Sequence, residues 1–172
     1  MPRPSSGRSS RQRFMRAIVQ RVSAATVSVD GREVGRCGYG LMLLVGVHKN
    51  DTPAEAKKMA GKISNLRIFA DPEGKMNLSL LDFPNENAGA SRFEYDVLAV
   101  SNFTVYGDTK KNRRPSFVES APYEEGRALF DCFVAELRAL GIDVRTGVFG
   151  ANMAVSLVND GPVTVIVDVD RE

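Results

Sequence analysis

MRAIVQRVSAATVSVDGREVGR, residues 15–36, is the stretch whose reading decides the fold class. Ala17–Val22 and Thr26–Val29 are rich in β-branched residues, which suit a pleated, half-buried surface. Asp30-Gly31 follows, a pair that readily takes positive φ at both corners of a two-residue turn. A β-hairpin is therefore predicted over Met15–Arg36. Directly after it, Leu41–Val47 is an almost continuous apolar run with Gly38, Gly40 and Gly46 around it, as expected of a strand buried on both faces.

Working outward, Thr52-Pro53-Ala54-Glu55 has the order of a capping box, with Pro53 where its missing N–H is no loss. A helix of about four turns is expected to run on to Leu66 and to bury Met59, Ile63 and Leu66. Ile68–Ala70 reads as a strand, ended by the turn residues Asp71–Gly74, with Met76–Leu81 pairing back. Residues 84–94 read as a polar surface loop, and Tyr95–Tyr106 as the strongest strand. A second loop, Gly107–Pro122, precedes a helix with Phe130, Phe133, Val134, Leu137 and Leu140 on one stripe and Gly141 as its stop. Val144–Val148, Met153–Val158 and Val163–Val169 complete the strands. Strands outnumber helices, and the two helices do not alternate with them. The predicted class is thus α+β: one domain, a mainly antiparallel curved sheet or barrel, and two covering helices.

The chain has 172 residues, 43% of them hydrophobic and 26% charged, which suits one globular domain and excludes wholesale disorder. No apolar run approaches the ~20 residues that span a bilayer. The net charge of +2 suggests nucleic acid until it is located. Residues 1–14 hold Arg3, Arg8, Arg11 and Arg13 and no acid, so without those four the charge becomes −2. This Pro-, Ser- and Arg-rich stretch lacks the apolar core of a secretory signal and reads as a disordered extension, with the domain expected over residues 15–170 and Met15 as a candidate start. Two distant cysteines, Cys37 and Cys132, argue against a disulfide and for a reducing cytoplasm.

Several chemistries are excluded early. His48 is the single histidine, with no acid placed beside it by spacing, so it reads as a loop residue and a Ser-His-Asp hydrolase is not expected. With no cluster of ligating side chains and no Gly-rich phosphate loop, neither a metal nor a cofactor is expected. Three segments stand out. Ser101, Asn102 and Thr104 interrupt an apolar strand: either the strand passes from core to surface, or its hydroxyls and N–H groups form a site wall for an oxyanion. Gly161-Pro162 lies between two strong strands, where proline requires a turn, bulge or edge; a cis bond is the sharper alternative. Lys110, Lys111, Arg113 and Arg114 fall within five residues, either as a solvated loop or as a grip on a phosphate backbone.

At these segments the sequence resembles the D-aminoacyl-tRNA deacylases. The likeness rests on Met15–Val22, on Asn65–Phe69, on Gly74–Ser79 and on Ser101–Thr104, which stands where the family has Ser-Gln-Phe-Thr. It rests also on Arg113–Phe117 and on Asn159-Asp160-Gly161-Pro162-Val163-Thr164. It spans about Met15 to Asp168. The resemblance implies hydrolysis of the ester joining a D-amino acid, or a glycine mischarged on tRNA-Ala, to tRNA. It implies a homodimer with its active sites at the subunit interface, and a cis Gly161-Pro162 that enters the partner's site, holds the α-ammonium and rejects an L side chain. Ser101 and the Phe103 N–H match oxyanion and ester-binding positions. Thr104 matches a former candidate nucleophile, for which a positioning role is expected here. Met153 matches a pocket-lining position, Arg21 a brace for the Gly-Pro loop, and the cluster Lys110–Arg114 would hold the tRNA. Aminoacyl-tRNA is the expected partner, with neither membrane nor DNA.

Asn102 departs from the family's glutamine by one methylene, so a contact made by the longer amide would fall short by about one C–C bond. Two further readings therefore accompany the hydrolase: a catalytically weakened tRNA-binding or editing-accessory module, and a relative of changed chirality.

Overall fold

The structure is a computed structural model and describes residues 13–87 and 91–170. β1 (Arg13–Val29) is one 17-residue strand that turns at Asp30-Gly31, with φ of 50° and 77°, into β2 (Arg32–Cys37). The predicted hairpin is thus formed, by the turn that the dipeptide favours. β1 begins at Arg13, ahead of the expected boundary, and Phe14 is buried; residues 1–12 of the expected extension lie outside the described residues.

β3 (Gly40–Gly46) is the expected two-faced buried strand, antiparallel to β1 and parallel to β6 (Asp96–Ser101). A Cβ on Gly40 would stand 1.9 Å from the Asp96 carbonyl oxygen, so the two strands meet only because that side chain is missing. α1 (Pro53–Ser64) starts at the Thr52–Glu55 capping box and stops two residues short of Leu66, which packs half-buried at the core edge. β4 (Phe69–Ala70) and β5 (Met76–Leu78) pair across the expected turn, but β5 stops short of the expected Leu81, because Ser79 and Asp82 cap a 3-10 turn over Leu80–Asp82. α2 (Tyr123–Ala139) buries Phe130, Phe133, Val134 and Leu137, but Leu140 caps the helix and is 37% exposed, so the apolar stripe ends one turn early.

Two boundaries correct the expected strands. Tyr95–Tyr106 is not one strand: β6 ends at Ser101, and Phe103–Tyr106 form a 3-10 turn. Asn102 causes the break, because its Oδ1 accepts the Thr104 N–H at 3.0 Å and gives the backbone a local alternative to the ladder. After β7 (Val144–Thr146), the two last predicted strands are a single one, β8 (Ala154–Asp170), paired antiparallel to β1. Proline is accommodated because β8 pairs, among the described residues, with β1 alone and because Asp160–Val163 bulges opposite Arg21, between the pairs Val22–Asn159 and Gln20–Thr164.

The class is α+β, with a nearly closed, barrel-like sheet. β1 pairs antiparallel with β2, β3 and β8, whereas β3–β6 and β6–β7 are parallel. β2 nears β7 closely enough that a Cβ on Gly35 would lie 2.4 Å from the Thr146 carbonyl oxygen. The sheet has an apolar layer on each face. Leu41, Leu43 and Val45 join α1 and α2 on one side, while Met42, Leu98 and Val100 meet Val22 and Val27 inside the barrel. Each fully buried Leu or Val among them contributes about 1.5–3 kcal/mol. β1 serves both layers by switching faces across its irregular stretch at Gln20–Ala24.

Candidate active site

The parallel strands β3 and β6 end side by side, and a cleft of about 680 Å³ opens there. Ser101, Asn102, Phe103 and Thr104 line one wall. Phe117, Ser120, Tyr123 and Phe149 line another, and Met153 and Val155 close the base with Leu44 and Val100. Of the predicted residues, the cleft gathers Ser101, Asn102, Phe103, Thr104 and Met153. Arg21, Gly161, Pro162 and the basic cluster stand outside it.

The wall is built by local bonding. The Asn102 N–H donates to the Val45 carbonyl at 2.8 Å, which ties the end of β6 to β3. Both the Thr104 N–H and its hydroxyl donate to Asn102 Oδ1, at 3.0 and 2.5 Å. Phe103 is the first residue of the 3-10 turn, a position whose N–H has no acceptor within its own helix. Its carbonyl accepts the Ser120 hydroxyl at 3.0 Å, and its ring meets Phe117 edge-on at 5.2 Å. Tyr123 and Phe149 form a second edge-on pair, also at 5.2 Å. Ser120, Tyr123 and Phe149 were not singled out in the sequence, and Phe117 only as the end of the Arg113–Phe117 motif, because only folding brings the loop before α2 and residues 147–153 against the strand ends.

His48 is not the loop residue expected. It is 6% exposed; Nδ1 accepts the Asn50 N–H at 3.1 Å, which leaves Nε2 to donate to Glu119 at 2.8 Å. That bond holds the Glu119 carboxyl below its ordinary range. His48 therefore pins the loop that carries Phe117 and Ser120, and it does not line the cleft. Cys37 is equally removed from chemistry: burial, then the charge of Asp96, pushes its thiol up to about 12, where it stays protonated.

Arg21 grips the β8 bulge. Its Nε donates to the Asp160 carbonyl at 3.2 Å, and another guanidinium nitrogen donates to the Ile68 carbonyl at 2.7 Å. The Val163 N–H donates to Asn159 Oδ1 at 2.8 Å, which closes the bulge from its other end. Gly161 and Pro162 at its tip are exposed, and their peptide bond is cis. Lys110, Lys111, Arg113 and Arg114 are exposed on a loop whose base is the Asp108–Ser116 bridge, next to the Phe117 wall.

The family model described as D-Tyr-tRNA(Tyr) deacylase matches residues 18–168. The chain belongs to this deacylase family. Among curated relatives, the D-aminoacyl-tRNA deacylase of Roseiflexus castenholzii is 53% identical over 154 residues, spanning 90% of this chain and 92% of its own. That of Thermomicrobium roseum is 54% identical over 154 residues, covering 90% and 94%. The deacylase fold is shared by a solved structure titled c-Myc DNA Unwinding Element Binding Protein, 34% identical, with a TM-score of 0.79 over 90% of this chain and 98% of that one. A probable eukaryotic D-amino acid tRNA deacylase, 21% identical, superposes with a TM-score of 0.75 over 91% and 100%.

Proposed function

We propose that this deacylase-family chain hydrolyses the ester of D-aminoacyl-tRNA, releasing free tRNA and a D-amino acid. The observation that carries this reading is the cleft itself, which Ser101, Phe103 and Met153 line together and which holds neither histidine nor cysteine among its lining residues. An aminoacyl ester is already activated, so a held water and donors aimed at the developing oxyanion suffice. Water adds to the carbonyl carbon. Ser101 Oγ and the Phe103 N–H stabilise the resulting oxyanion, and as the carbonyl reforms the ribose oxygen departs with the proton that the attacking water gives up. Thr104 shapes the wall. The aromatic faces of Phe117, Tyr123 and Phe149 suit the terminal base of a single-stranded RNA end. Lys110, Lys111, Arg113 and Arg114 hold the phosphates behind it, an attraction that weakens as salt rises.

Asn102 does not favour the accessory-module reading. Its amide oxygen is engaged in ordering the wall, so the shorter side chain serves the backbone donor rather than reaching for substrate.

The active unit in this reading is a homodimer. Within one chain Gly161 and Pro162 lie outside the cleft. A row of apolar residues, Leu44, Ile18 and Ile166, runs from the cleft across three paired strands, and Ile166 at its end is 62% exposed. A second copy laid on that row would cover it and bring its own bulge to the cleft, where the Gly161-Pro162 backbone would select the D-enantiomer.

The test is deacylation of D-Tyr-tRNA, L-Tyr-tRNA and glycyl-tRNA by the purified protein. Rapid release from the D-ester with the L-ester intact is expected. Equal hydrolysis of both, or of neither, overturns the reading.

A further inference from the structure

Asp160, the first residue of the β8 bulge, is held from two sides. Arg21 lies 3.3 Å from its carboxylate in addition to bonding its carbonyl. The second hold comes from Tyr39, in the turn between β2 and β3, whose hydroxyl donates to Asp160 Oδ2 at 2.7 Å across 121 residues of sequence. Tyr39 is oriented for this bond. Its ring meets Tyr95 edge-on at 4.8 Å and Phe69 at 6.1 Å, and Phe83 packs behind Tyr95 at 4.4 Å. The turn that carries it is tied to β6, since the Gly38 N–H donates to Asp96 Oδ1 at 3.1 Å. Burial, then the bond to Asp160, pushes the phenol up to about 12, so it remains a donor throughout the neutral range.

Between this anchor and Val163 stand only Gly161 and Pro162. Gly161 has no side chain to fix it, so the position of the tip follows from its two ends. A steric filter is sensitive to sub-ångström placement, because a displacement of about 1 Å changes rates by orders of magnitude.

We propose that Tyr39 is a specificity-determining positioning residue whose bond to Asp160 sets where Gly161 and Pro162 stand against the aminoacyl ester. Tyr39 acts through Asp160 and does not itself touch the substrate. The proposal rests on the D-aminoacyl-tRNA reading above.

The experiment measures single-turnover deacylation of D-Tyr-tRNA and L-Tyr-tRNA by the wild type, Tyr39→Phe, Asp160→Ala and the double variant, with melting temperatures alongside. Tyr39→Phe keeps the ring packing and removes only the donor. It is expected to leave the D-rate within about twofold and to raise the L-rate about tenfold, the lower end of the effect of removing one hydrogen bond to a charged group. Adding it to Asp160→Ala is expected to change the D/L ratio no further. An unchanged ratio in Tyr39→Phe, an equal fall in both rates, or additivity in the double variant overturns the proposal while wild-type selectivity keeps the deacylase reading intact. A wild type that does not discriminate overturns that reading, and this proposal with it.

Discussion

Thr104 looks like a nucleophile in sequence and is bonded like a structural residue. Its hydroxyl donates to Asn102 Oδ1, an amide oxygen with too little basicity to remove the proton, and the single histidine is engaged with Glu119 behind the loop. Thr104→Ala is therefore expected to retain kcat for D-Tyr-tRNA within about threefold, whereas removal of a covalent nucleophile costs orders of magnitude. Complete loss of turnover with folding and tRNA binding intact would assign the hydroxyl a direct part in the reaction. The roles of Asn102 and His48 were not legible in the sequence. Asn102 acts within its own turn, two residues away, while the partner of His48 is 71 residues distant and no spacing rule connects them.

At the scale of elements, Asp51 ties three of them together. Its carboxylate accepts the N–H of Met15 from β1 at 2.9 Å and that of His48, just past β3, at 2.7 Å, one residue before the cap of α1. Burial outweighs those donors and raises the carboxyl from 3.8 to about 6. A raised value means that the fold holds this proton more tightly than the unfolded chain does. Its stabilising contribution is thus complete below about pH 4 and is lost as pH rises through about 6. Asp51→Asn has no such titration, so its melting temperature relative to the wild type is expected to rise between pH 4 and pH 7. A difference that stays constant over that range would show that Asp51 ionises normally. The helices themselves were readable: Thr52-Pro53-Ala54-Glu55 and the Phe130–Leu137 stripe are local signals, and both helices formed on them. The strand limits at Asn102 and Pro162 were not, because side-chain capping ended one strand and a bulge joined two others.

For the whole molecule, the apolar row Leu44–Ile18–Ile166 leads to a test of assembly. The proposed homodimer has twice the 18.8 kDa mass of the chain, and Ile166→Lys places a charge on the face that a second copy would cover. This variant is expected to sediment as a folded monomer and to lose deacylation at enzyme concentrations where the wild type is active. A dimer unaffected by Ile166→Lys would move the interface elsewhere. The basic cluster is tested at the same scale: replacing Lys110, Lys111, Arg113 and Arg114 with alanine is expected to weaken tRNA binding and flatten its salt dependence. Each phosphate that the variant no longer neutralises lowers the log–log slope by about 0.7–0.9.

The sequence alone determined which segments become hairpin, buried strand and helix, since positive-φ turn residues, capping boxes and apolar periodicity act over only a few residues. It also determined family membership, through motifs spread from β1 to β8. Tertiary structure decided how those pieces make a cleft. It brought Phe117, Ser120, Tyr123 and Phe149 to the wall begun by Ser101, and it set Arg21 and Tyr39 on Asp160. Such contacts join residues separated by up to 139 positions, and they exist only where sheet closure and core packing fix the strands against one another.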